Sequence, residues 1–322
     1  MTATTPTPTT PSATTPSATT PSATTPTAPV GALEVLAPGL LTLVQDDGRP
    51  GWAHVGVGRA GAADLGALHL ANRLVGNDEG AAGLEVLLGG LQVRARRPLT
   101  VALAGAPAPT TVRRGSLVVP VGPHAPLELA AGDVLTLGTP VRGLRTYLAV
   151  RGGVAVPPVL GSRSSDRLAG LGPEPLTAGE VLPVGPAPAG GIVVDVAPVR
   201  PVPDVAVLPV WPGPHVAWFG PHALSTLRTS SYRVTPATDR TALRLGGTTL
   251  RRAPEHEGRE LAPVGLVRGA VQVPADGLPV VFGADHPVTG GYPVLAVVAG
   301  GAVDLLAQLR PGDPVRFAPA RR

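Results

Sequence analysis

YLAVRGGVAVPPVLGSRSSDRLAGLG, from Tyr147 to Gly172, is the stretch from which the rest of the chain can be read. It opens as a strand, with Leu148 and Val150 alternating against Tyr147, Ala149 and Arg151. The strand breaks at Gly152-Gly153 and again at Pro157-Pro158, and a polar loop follows from Gly161 to Arg167. That loop carries Ser162, Arg163, Ser164, Ser165, Asp166 and Arg167. A polar cluster launched from an apolar strand and shaped by Gly and Pro is how binding loops sit on a rigid scaffold. On residue chemistry alone it is either such a loop or a solvated connection between two strands.

The same punctuation runs through the chain. Its 322 residues contain 42 Gly and 40 Pro but only nine aromatics. Beyond the first 30 residues, Gly and Pro interrupt short apolar runs every eight to twelve residues or so, the signature of an all-β sandwich or barrel. A chain of this length predicts one large or two ordinary domains. The predicted division is a Thr/Pro/Ser/Ala-rich tail over 1–30, built on repeats of TTPSA, then domains over 31–190 and 191–322. The second boundary is placed in the Pro-, Gly- and Ala-rich stretch from Pro183 to Pro203. The tail has no apolar segment, so it reads as disordered and not as a secretory signal.

Composition also excludes chemistry. There is no cysteine, hence no disulfide, thiolate metal site or cysteine nucleophile, which suits a cytoplasmic protein. There is no lysine either, so a Walker A loop, a Schiff base and covalently attached biotin are all excluded on this chain. The net charge of +4 is spread over dispersed arginines, which argues against nucleic acid. No apolar run reaches the length of a membrane span. The seven histidines show no HExxH spacing, so no metal site is expected. Gly161-Ser162-Arg163-Ser164 is not a GxSxG elbow.

Taken in order, Leu33–Leu36 and Leu40–Asp46 read as a hairpin pair, and Ala63–Val75 as a helix with Leu65, Leu68 and Val75 on one face. Gly56, Gly58 and Gly61 spell GxGxxG ahead of that helix. The preceding Pro50–Val55 is no buried strand, however, and the chain does not alternate β and α, so a dinucleotide site is rejected. Glu85 lies in the otherwise apolar LEVLLGG and either points outward or is buried with a partner such as Arg49 or Arg151. Further strands are predicted at Gln92–Arg94, Leu99–Ala104, Ser116–Val119 and Val134–Leu137. Helices are predicted near Pro221–Leu227 and at Ala302–Leu309. Asp276-Gly277 predicts a hairpin between apolar strands.

Five blocks carry a resemblance: YLAVRGG with the PPVLGSRS loop and AGLG, VQDDGRPG (Val44–Gly51) with GAAD (Gly61–Asp64), LANRLVGN with GLEVLLGG, Thr238–Leu245, and Gly269–Pro293 with its TGGYP. From Leu33 to Phe317 the chain resembles the PxpC/KipA family, the C subunits of 5-oxoprolinase. That family is also described as biotin-dependent carboxyltransferase or allophanate hydrolase subunit 2-like. The chain departs from the family pattern at Ala60, where serine is usual, and at Thr241-Ala242, where Met-Gly is usual.

The resemblance implies a mainly β fold of two tandem cyclophilin-like β-barrel domains with a few short helices. It implies one chain of an ATP-dependent amidohydrolase, the 5-oxoprolinase, active only in complex. The partners it implies are the A and B chains of that complex, LamB/YcsF-like and KipI-like respectively, with ATP used in the complex. Alternatives are a carboxyltransferase served by carboxybiotin on a separate carrier, and a non-catalytic partner of a KipI-like protein. If the two halves face each other, their glycine-flanked polar residues line one cleft. There Glu85, Asp276 and Asp285 would handle protons, while Arg49, Arg151, Ser162, Arg163, Ser164, Asp166, Gln272, Thr289 and Tyr292 would hold a small anionic substrate.

Overall fold

The computed structural model describes residues 1–2, 30–198 and 201–321. The tail expected to be disordered lies almost wholly outside the described residues. The protein is mainly β, as the punctuation predicts. Strands before residue 185 form two sheets. One runs in the order Val181–Val184, Val30–Pro38, Leu91–Ala95, Val134–Leu137, Thr110–Arg114, Leu117–Val121. The other runs Leu41–Gln45, Gly83–Leu87, Arg145–Val150, Leu99–Gly105, Pro126–Leu129. Strands from residue 206 onward close into a seven-stranded barrel, sealed by parallel pairing of Ala206–Pro212 with Pro314–Pro319.

The two sheets face each other across one core. Leu33, Val35, Val93 and Leu135 from the first meet Val44, Leu84, Leu103 and Leu148 from the second. Side chains of this size each contribute roughly 1.5–3 kcal/mol when fully buried. The predicted hairpin between Leu33–Leu36 and Leu40–Asp46 does not form. Instead Val30–Pro38 pairs with Leu91–Ala95 in one sheet, and Leu41–Gln45 with Gly83–Leu87 in the other. The reason is a shared corner. Gly39 has φ +70° and touches Gly89, and the two chains turn together from one sheet to the other; a Cβ on Gly39 would collide with the Gly89 carbonyl oxygen.

The predicted helix is present at Leu65–Leu74, capped by the Asp64 carboxylate, which accepts from Ala67 N. Its Leu68, Ala71 and Leu74 pack on Ala102, Ala104, Tyr147 and Ala149. In the barrel, Ala270–Gln272 and Val280–Phe282 pair antiparallel around the Asp276-Gly277 turn, as expected. Leu208, Leu243, Val271, Val281, Leu295 and Phe317 fill the barrel core. No helix among the described residues is long and apolar enough to cross a membrane.

Candidate functional site: the cleft between the two halves

The serine-arginine loop is shaped by a carboxylate at the end of strand Leu41–Gln45. Asp46 Oδ1 accepts from Ser162 Oγ (2.6 Å), Ser164 Oγ (2.5 Å) and Gly48 N (2.8 Å), and Asp46 Oδ2 accepts from Arg163 N (2.6 Å). Arg49, buried, donates to Asp166 Oδ2 (3.2 Å) and to the Ser164 carbonyl. Ser162, Ser164 and Arg49 are substrate-holding candidates on sequence. Their polar atoms are already spent on the loop, and they hold its shape instead. Asp46, which is not among the expected site residues, is the anchor; its signals in the sequence are its place in the VQDDGRPG block and a carboxylate directly after a mostly apolar strand.

The other expected anion holders part company. Arg151 donates to the carbonyls of Val75 (2.7 Å), Pro188 (2.8 Å) and Gly190, and so pins the segment after Val181–Val184. Arg163 donates through Nε to Val156 O (2.8 Å). Neither lines the cleft between the halves.

Glu85 is buried, but its partners are neither Arg49 nor Arg151. Its Oε1 pairs with Arg145 Nε (3.2 Å) and with Arg240 Nη1 from the barrel, and its Oε2 accepts from Ala63 N and the Tyr147 hydroxyl, both at 2.9 Å. Arg240 also holds Asp285 through Nε (2.8 Å) and Nη2 (3.1 Å), and donates to Gly61 O (2.6 Å). Two guanidinium groups and two carboxylates thus form a neutral cluster between the halves. Burial alone would push the Glu85 carboxyl up, but the charges of Arg240 and Arg145 and the Ala63 N–H outweigh it and bring it down to about 2. Burial likewise opposes the Arg240 charge, and Glu85 and Asp285 overcome it, so its pKa rises. A carboxylate held this firmly takes no proton near neutral pH, which corrects the proton-transfer role expected of Glu85.

The helix behind this cluster joins the halves a second time. Gln308 donates to Asp64 Oδ2 (2.7 Å) and accepts from Leu144 N and Arg145 N, both at 3.1 Å. Asp304 accepts from Leu65 N (3.3 Å) and Gly66 N (3.0 Å), so the helix N-terminus behind GxGxxG is filled by a carboxylate of the barrel half. Burial pushes Asp64 up to about 6, against its Gln308 hydrogen bond and with Asp304 adding to the rise.

The folded Asp64 binds its proton more tightly than the unfolded chain, so its share of stability grows as pH falls from about 7 toward 4.5. Glu85, with its lowered pKa, loses stability only below about 4.5. Unfolding free energies from urea titrations at pH 7 and pH 5 should therefore differ by a rise on the order of 1 kcal/mol that Asp64→Asn lacks. Equal pH dependence in both proteins would refute the assignment.

Beside the ion cluster the two halves leave a cleft of about 400 Å³, lined by Ala53, Gly56, Gly58 and Ala60 with Asp166, Leu168 and Ala169 on one side and Asp285 to Thr289 on the other. Of the predicted residues, the cleft brings together Asp166, Asp285 and Thr289. Asp276 and Tyr292 line a different cavity, inside the barrel half, and Gln272 donates to the Tyr292 carbonyl (2.8 Å). Asp166 and Asp285 are each backed by a buried arginine, Arg49 and Arg240.

The cleft also contains His286, which belongs to no ligand or catalytic motif in the sequence. Its Nδ1 lies 2.9 Å from Pro287 O, a pure acceptor, so the proton sits on Nδ1 and Nε2 is left as a base. A half-buried imidazole and the exposed Thr289 hydroxyl, over a floor of two ion pairs, can take a proton and hold a carbonyl oxygen. No group of His, Asp and Glu among the described residues could hold a metal ion.

Comparison with known proteins places this geometry in company. Residues 55–319 match the family described as "Carboxyltransferase domain, subdomain A and B". The chain is 36% identical over 288 residues to the 5-oxoprolinase C subunit of Escherichia coli, covering 88% of this chain and 90% of that one. The crystal structure of TTHA0988 superposes with a TM-score of 0.79 at 35% identity, over 90% of this chain and 55% of that one. The Kluyveromyces lactis urea carboxylase gives a TM-score of 0.84 at 29% identity, over 92% of this chain and 28% of that one. The chain therefore spans about half of the first of these solved structures and little more than a quarter of the second.

Proposed function

Since the chain belongs to the carboxyltransferase domain family, subdomains A and B, we propose that it works as the C subunit of an ATP-dependent 5-oxoprolinase. Such a complex opens the lactam of 5-oxo-L-proline to L-glutamate. The observation that carries this reading is the identity shared with the Escherichia coli C subunit along 90% of that protein. The partners are a LamB/YcsF-like chain and a KipI-like chain. The cleft fits the substrate class: a cavity of about 400 Å³ suits a small organic molecule.

An unstrained amide is a poor electrophile, and activating its oxygen with a phosphoryl group creates a leaving group. Two features argue against ATP on this chain. There is no lysine, and the GxGxxG loop ahead of the helix Leu65–Leu74 has Asp304 at that helix's N-terminus. ATP is therefore assigned to a partner chain, and the role of this one is proton handling and positioning. His286 Nε2 would accept a proton from the water that attacks the activated lactam carbon and pass it to the ring nitrogen as the C–N bond breaks, with Thr289 beside the carbonyl oxygen. Hydrolysis of the acyl phosphate so formed releases the carboxylate and inorganic phosphate.

A second reading follows from the likeness to urea carboxylase: carboxyl transfer from carboxybiotin on a separate carrier to a urea-like nitrogen in the same cleft. One reconstitution separates the readings. The chain is mixed with its two partners, and glutamate release from 5-oxoproline is followed with ATP consumption. Turnover that requires all three chains is the expected result. A stable complex without turnover overturns it. In that case carboxybiotin-dependent transfer marks the second reading, and inactivity on both substrates marks a regulatory partner of a KipI-like protein.

A further inference from the structure

The barrel half holds a cavity of about 980 Å³, more than twice the volume of the cleft, to which nothing above gives a role. Its walls present Arg251, Arg252 and Arg259 together with Glu257, Glu260 and Asp276. Among the described residues, none of these guanidinium groups has a carboxylate within 4.0 Å, and none of these carboxylates has a cationic partner. Elsewhere on its surface the same chain closes such pairs, as at Arg94–Glu34 and Arg142–Asp204. Here two of the arginines, Arg252 and Arg259, are held by other contacts. Arg259 lies over the Trp218 ring, 5.9 Å from its centroid, and Trp218 stacks on His256 at 4.5 Å. Arg252 Nη1 donates to Arg259 O (2.7 Å), and Arg252 Nε is buried without a partner. The Asp276 carboxylate, also in the lining, accepts from Leu278 N (3.0 Å), which fixes its turn.

We infer that this cavity is a second ligand site, for a small zwitterionic amino dicarboxylate, an inference that rests on the lactam-opening activity proposed above. A simple anion would be drawn to the arginines but repelled by the three carboxylates beside them, and a simple cation would meet the reverse. A ligand carrying carboxylates and an ammonium a few ångströms apart complements a lining that presents charges of both signs. The lactam has no ammonium group. Ring opening creates it, together with a second carboxylate, so the cavity separates product from substrate and is a product site.

The test is calorimetric titration of the full-length chain with L-glutamate, glutarate and 5-oxo-L-proline. L-Glutamate should bind at least tenfold more tightly than glutarate, which lacks the amine, and than the lactam. Arg259→Ala and Glu257→Gln should each weaken L-glutamate binding about tenfold, a loss of about 1.4 kcal/mol. Both side chains are exposed, so the fold survives these changes. Glutarate binding as tightly as L-glutamate overturns the inference, as does affinity unchanged in both variants or no binding up to about 10 mM. The reconstituted assay keeps the two ideas apart. Turnover by the complex with no glutamate binding to this chain sinks the product site alone. Glutamate binding that depends on both charges, without turnover, supports the site and sinks the 5-oxoprolinase reading.

Discussion

Replacing Arg240 by alanine is expected to lower the unfolding free energy by about 3–5 kcal/mol, the range for removing one partner of a buried ion pair. The magnitude follows from what is left behind. Asp285 is 4% exposed, and among the described residues Arg240 is the only cation paired with it. Glu85 keeps Arg145, the Ala63 N–H and the Tyr147 hydroxyl, so its loss is partial. The Gly61 carbonyl loses its donor as well. Removing a stranded charge should recover part of the loss. The double variant Arg240→Ala/Asp285→Ala should therefore cost less than the sum of the two single variants by about 1–3 kcal/mol. Because Arg240 is one of the struts between the halves, beside Gln308 and Asp304, the urea transition should also broaden as their docking weakens. A midpoint shift worth less than about 1 kcal/mol would mean that the cluster is dispensable.

That cluster also shows where sequence reading stops. Short apolar runs set off by Gly and Pro were enough for a mainly β fold, because strands and turns are written in neighbouring residues. The corner at Gly39 and Gly89 was not legible, since it depends on two glycines 50 positions apart touching. Glu85 stood out as a charge in an apolar strand, and the need for a buried partner followed from physics. The identity of that partner did not follow. Tyr147 faces Glu85 across paired strands, which brings Arg145 close, while Arg240 arrives from the other half, 155 residues along the chain. The usable signal was a set of charged residues inside apolar runs: Glu85, Arg145 and Asp285. The Ser162–Asp166 loop misled in the opposite direction. Its polarity suggested a substrate, yet Asp46 and Arg49 absorb most of it.

His286 yields the second large effect, on turnover rather than stability. Two carboxylates face the cleft, and buried arginines engage both, occupying oxygens that a base would need. The imidazole differs because its Nδ1 is committed to the Pro287 carbonyl and its Nε2 is not. His286→Gln keeps a side chain of similar reach that can hydrogen-bond but cannot take a proton. In the reconstituted three-chain assay the variant should lose about 100- to 10,000-fold in kcat, the usual contribution of a general base. The KM for 5-oxoproline should change little, because the change removes a proton acceptor and not the shape of the cleft. Thermal unfolding should stay near that of the parent, since the ring is only half-buried and its hydrogen bond is to its own neighbour, Pro287. A kcat within about threefold of the parent would remove His286 from the chemistry and, with it, the argument that the proton is handled in this cleft rather than on a partner chain.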